Sequence, residues 1–142
     1  MGIKTVFSIA LAASLAFLVS PLFAQQSGGK QRVVFQVSDN DPAKWNLALN
    51  NARNVQQDLG KDNVQIEIVA YGPGLAMLKA ESKVADRLAG ALDSNVGLIA
   101  CENTMQNTKV QKSDMYGGIS YVQAGVTHIM KRQREGWAYI RP

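Results

Sequence analysis

The sequence predicts an α/β protein, a single three-layer α/β/α domain with a mainly parallel sheet of about five strands. Two observations carry that reading. Strand-like and helix-like segments alternate five times along the chain, the order that builds a parallel sheet with right-handed crossovers between helical layers. In addition, Arg32–Val37 and Val96–Ala100 are nearly continuous apolar runs, as expected of strands covered on both faces. With 142 residues, 46% hydrophobic and 18% charged, the composition is that of one ordinary globular core. No internal repeat, low-complexity tract or second domain interrupts it.

Residues 1–24 stand apart. Lys4 precedes an apolar run from Val6 to Val19, which ends in Ser20-Pro-Leu-Phe-Ala24 and turns polar at Gln25. This is the pattern of a secretory signal peptide cleaved after Ala24, and the run is shorter than the roughly 20 apolar residues of a spanning helix. The mature protein is therefore expected in the periplasm or secreted, with no membrane attachment after cleavage. Lys4 is the only charge removed, so the formal charge falls from +4 to +3. So mild a balance does not suit a nucleic-acid binder. Residues 25–31, with Ser27-Gly-Gly29, read as a flexible leader to a domain over 32–142.

In chain order, Arg32–Val37 is the first strand. Asp41-Pro42 then opens a helix, the carboxylate accepting from free N–H groups and the proline taking the first helical position. Trp45, Ala48, Leu49, Ala52, Val55 and Leu59 form one apolar stripe on it, ended by Gly60. Leu47 lies off the stripe, where a subunit contact is one use for it. Asn63–Ala70 alternates Val64, Ile66 and Ile68 with Gln65 and Glu67, the period of a strand with one wetter face and an expected edge position. Gly72-Pro-Gly74 is a turn; Met77 stands where a dinucleotide-binding loop needs its third glycine. A short helix over 75–80 is followed by a second helix capped by Ser82, with Val84, Leu88, Ala91 and Leu92 on one face.

Val96–Ala100 is the third strand, and Asn103 and Thr104 are expected to cap a short helix through Val110. Ile119–Val122 is a strand, Gly125 leads into a helix to about Glu135, and Trp137–Ile140 closes the sheet with both aromatics on one face. Ser120 lacks the flanking glycine of a nucleophile elbow.

Chemistry centres on Cys101, the only cysteine, because it sits where a strand ends. Reactive groups in open α/β sheets collect there, and N–H groups at the start of a following helix would favour a thiolate. A free cysteine can equally be a small packed hydrophobe. Asn103 and Thr104 are catalytic candidates as well as caps. His128, the only histidine, is the one side chain with an unperturbed pKa near neutrality. Helical spacing puts Val126, Ile129 and Met130 on one face and His128 on the opposite one, toward solvent or another subunit. One cysteine and one histidine make no metal site within a chain, and a site on an oligomer axis stays open. No disulfide can form within the chain.

Ala100-Cys-Glu-Asn-Thr104, Tyr71-Gly-Pro-Gly-Leu75, Ala124-Gly-Val-Thr-His-Ile-Met130 and Arg134-Glu-Gly-Trp-Ala-Tyr139 resemble segments of the DsrE/DsrF-like family of sulfur-relay proteins, and the likeness extends over roughly 32–140. The resemblance implies a compact α/β/α domain forming homo- or hetero-oligomers, in which Cys101 would carry sulfur as a persulfide. No cofactor is implied, and the sulfur donor and acceptor stay unnamed. The signal peptide departs from the family's cytoplasmic relays. An oligomeric binding or assembly module with a structural cysteine, or a thiol redox sensor, are the alternatives.

Overall fold

The computed structural model of the chain describes residues 1–2 and 28–142. Nearly all of the segment read as a signal peptide, and the start of the leader, lie outside them. Among the described residues five strands form one all-parallel sheet: β1 (Gln31–Val37), β2 (Val64–Ala70), β3 (Val96–Cys101), β4 (Ser120–Val122) and β5 (Ala138–Ile140), in the order β4-β3-β2-β1-β5. The α/β class and strand number agree with the sequence expectation. The helices are α1 (Pro42–Leu59), α2 (Ala85–Asp93), α3 (Glu102–Asn107) and α4 (Gly125–Arg134).

Period-two side-chain alternation divides β1, β2 and β3 between two cores. Val33, Phe35, Val37, Ile66, Ile68, Leu98 and Ala100 face α1 and α2 and form the larger one, with Trp45, Leu49, Met77, Leu78 and Leu88. Asp41 caps α1 as expected, its carboxylate accepting from Ala43 N–H at 2.9 Å, and Pro42 occupies the first turn. Trp45 is anchored by an indole N–H bond to the Asp39 carbonyl at 2.8 Å. Between β2 and α2 the chain runs as a 3₁₀ segment, Gly72–Leu78, where a short α-helix was expected. A Cβ at Gly74 would lie 2.3 Å from the Val37 carbonyl oxygen, so only glycine lets this segment close over the end of β1.

The opposite face of the sheet is covered by α4, with Val34, Val69, Ile99, Ile129 and Trp137 in its core. Val126 and Met130 on α4, and Tyr139 and Ile140 on β5, are exposed.

Three further expectations are corrected. β2 is the central strand, and the edges are β4 and β5; of its two polar residues only Gln65 is wet, because Glu67 is buried in an ion-pair cluster. Asn103 and Thr104 lie inside the first turn of α3, whose cap position is Cys101 itself, and the helix stops at Asn107. His128 does not face outward; it is turned onto the sheet.

Candidate functional site: a thiol between two helix starts

Parallel strands bring every β-to-α turn to one edge of the sheet, and Cys101 ends β3 at that edge. Its side chain is on the α4 face, in step with Ile99, and the residue is 5% exposed. Two helices begin beside it. α3 starts at the next residue, and the loop after β4 returns through Gln123 to start α4 at Gly125. The loops are stitched together by Asn103 N–H to the Gln123 carbonyl at 3.0 Å and by a bond from the Gln123 amide to the Asn103 side-chain oxygen.

The first N–H groups of a helix have no partner within it. Here two such helix starts, of α3 and α4, lie beside the sulfur. Burial alone would raise the Cys101 thiol pKa, but the Thr104 hydroxyl and the N–H groups of Gly125, Thr104 and Asn103 together outweigh it and leave the pKa lowered. As a thiol, Cys101 donates to the Gln123 carbonyl over 3.8 Å. Glu102, the anion that could oppose a thiolate, points away and pairs with Lys112 at 3.0 Å.

Two further residues fix the geometry. Gly72 N–H donates to Thr104 Oγ1 at 2.9 Å, so one oxygen lone pair is occupied and the hydroxyl hydrogen is left for sulfur. Gly72 adopts φ +53°, a conformation that favours glycine. Gly125 sits against Tyr71 and Val69, where a Cβ would come within 3.2 Å of both side chains; its missing side chain lets the start of α4 settle onto the sheet beside the thiol. Tyr71, at the end of β2, has its phenol pKa raised, mainly by burial and then by Tyr139 nearby. Beyond it, Asp39 holds Lys44 at 2.7 Å and Arg141 at 3.8 Å.

Of the residues singled out by sequence, the structure thus brings together Cys101, Asn103 and Thr104. His128 belongs elsewhere. Its Nε2 lies 2.7 Å from Glu67 Oε2, toward the middle of β2, and Arg132 grips the same carboxylate through Nε at 2.9 Å and Nη2 at 2.6 Å. Arg132 also lies 4.7 Å from the Trp137 ring centroid and bonds Glu135 at 2.9 Å. The four-residue spacing of His128 and Arg132, opposite a lone acid in an apolar strand, was the available signal for this cluster. Gly72 and Gly125 carried none beyond turn and helix-start chemistry. Among the described residues no group of three or more His, Cys, Asp or Glu side chains could hold a metal ion, and no helix is long and apolar enough to cross a membrane.

Comparison with known proteins places this architecture. No protein-family profile matches the chain, and no curated protein matches it in sequence. Among solved structures, MTH1491 from Methanobacterium thermoautotrophicum, a protein of unknown function, is 37% identical, with 80% of this chain aligned to 100% of that one at a TM-score of 0.76. At that identity over its whole length, the chain belongs to the same family as MTH1491. BT1422 from Bacteroides thetaiotaomicron, a conserved protein of unknown function, matches at 15% identity and TM-score 0.60, covering 79% of this chain and 95% of its own. The ychN protein from E. coli matches at 9% identity and TM-score 0.60, covering 80% and 99%. These two share the fold.

Proposed function

We propose that the protein is an exported DsrE-like sulfur carrier, working in the periplasm or outside the cell as a homo-oligomer, with Cys101 as the persulfide-forming thiolate. The observation that carries this reading is the placement of Cys101 at the end of β3, where α3 and α4 both begin, beside a Thr104 hydroxyl oriented by Gly72 N–H. A sulfur nucleophile needs its thiolate form near neutral pH, and this site favours it without a histidine. The sequence resemblance to DsrE/DsrF-like proteins supports the same reading.

In the proposed step, the Cys101 thiolate attacks the outer sulfur of a persulfide donor, R–S–SH. A new Sγ–S bond forms, the donor S–S bond breaks, and the donor leaves as R–S⁻ while the proton stays on the transferred sulfur. Passing the sulfur to an acceptor thiolate is the same exchange run onward, so no external oxidant is needed. Exposure of the protein to a polysulfide should add one sulfur atom to Cys101, removed by reductant and visible by mass spectrometry. The 5% exposure of Cys101 favours a second reading, an assembly module with a packed cysteine. An absent adduct together with a thiol inert to alkylation would decide for that reading.

A further inference from the structure

At the far end of the sheet from Cys101, α1 and α2 part to leave a cleft of about 250 Å³. Its apolar walls are Leu49, Ala52, Ala91 and Val96, and its cations are Arg53 and Arg87. Among the described residues no carboxylate lines it. Val96 begins β3 and Cys101 ends it, so the cleft and the thiol are roughly 16 Å apart at about 3.3 Å per residue.

Three features mark the cleft as built. Arg87 is fixed in place: its guanidinium donates to the Asn46 carbonyl, the Asn46 side chain and, at 2.8 Å, the Asn50 side chain. Arg53, exposed one turn further along α1 at the rim, makes no ion pair among the described residues. Gly90 lies inside α2, where glycine costs roughly 1 kcal/mol against alanine, yet its φ is not positive and a Cβ there would meet nothing within 4 Å. No turn or close packing requires that glycine. What it does is keep the cleft wall low.

We infer that this cleft binds a small organic anion, a monocarboxylate with a short aliphatic or aromatic body, the body lying on Leu49, Ala52, Ala91 and Val96 and the carboxylate meeting Arg53 beside Arg87. The charge assignment follows from two guanidinium groups and no acid around an apolar floor, since a buried or half-buried carboxylate pairs best with arginine. The size follows from the volume, which lies below the roughly 300–1,000 Å³ of sites for drug-sized ligands. The site is independent of sulfur chemistry at Cys101.

Benzoate and hexanoate, with benzamide and hexanamide as neutral counterparts, are the probes, titrated into ¹⁵N-labelled protein. Saturable amide shifts at Ala52, Gly90, Ala91, Ser94 and Val96 are expected with the acids and not with the amides. Arg53→Ala should weaken binding about tenfold or more, as loss of a charge-assisted bond does. Gly90→Leu should fill the cleft and abolish binding while leaving thermal stability equal or higher; Gly90→Ala, which keeps the fold under the mildest change, should weaken binding in the same direction. Equal response to acid and amide, undiminished affinity in Arg53→Ala, or no saturable shift at millimolar acid would each overturn the assignment.

Discussion

At the scale of single residues, the reactivity of Cys101 rests on Thr104 as much as on backbone. The hydroxyl is held by Gly72 N–H and lowers the thiol pKa against the raising effect of burial. A hydrogen bond to a charged group contributes about 1.5–3 kcal/mol. Removing it makes the thiolate scarcer and more nucleophilic at once, and with a Brønsted slope near 0.4–0.5 about half of the effect survives in the rate. Thr104→Val should therefore slow iodoacetamide alkylation of Cys101 at pH 7 by about four- to twelvefold, with the pH midpoint displaced upward, and Thr104→Ser should restore both. An unchanged rate in Thr104→Val would assign Thr104 to packing of the Gly72 turn alone. Cys101 was legible in the sequence because a lone thiol at the end of an apolar run has a position that pattern can give. The Gly72 to Thr104 link was not, because it joins residues 32 apart across the β2-to-β3 crossover and depends on strand neighbours that pattern does not order.

At the scale of elements, the pairing of α4 with β2 shows where hydrophobic periodicity misleads. Spacing selects Val126, Ile129 and Met130 as the inward face, yet only Ile129 of these is buried, and Val126 and Met130 are 50% and 48% exposed. The helix is rotated because Glu67, buried on the central strand, needs polar partners, and His128 and Arg132 lie four residues apart on one side to supply them. The carboxylate in turn raises the pKa of the Arg132 guanidinium. A periodicity argument assigns charged residues to water and has no means of seeing a partner on another element. The same error made β2 an edge strand. Once Glu67 is buried against His128 and Arg132, removing it takes away the bidentate partner of Arg132, leaves only the exposed Glu135 to pair with it, and strips His128 Nε2 of its bond, which is costlier than losing an exposed pair. Glu67→Ala should destabilise the fold by about 3–5 kcal/mol in urea unfolding, and adding Arg132→Met should recover part of that loss. A cost within about 0.5 kcal/mol, as for an ordinary surface change, would mean the cluster contributes no net stability.

At the scale of the whole molecule, class and strand number were readable because strand-type and helix-type patterns alternate without interruption, and a parallel sheet follows from crossover length alone. Strand order was not, since β1 could have lain in several places in a sheet built from the same five segments. The order matters for electrostatics, because β4-β3-β2-β1-β5 sets Cys101 and Tyr71 side by side at the carboxyl edge with opposite pKa displacements. The thiol is lowered from 9.0 and the phenol raised from 10.0. For the thiol, the stabilisation is fully present above the unfolded value and is lost as pH falls through the lowered folded value. For the phenol, whose neutral form is favoured by burial, it is fully present below the unfolded value and is lost as pH rises through the raised folded value. Stability under reducing conditions should therefore climb with pH up to about 9 and decline beyond about 10. Urea midpoints measured from pH 6 to 11 should show Cys101→Ala without the climb and Tyr71→Phe without the alkaline decline. Profiles parallel to that of the unsubstituted protein in both variants would remove the carboxyl edge as the origin of either limb.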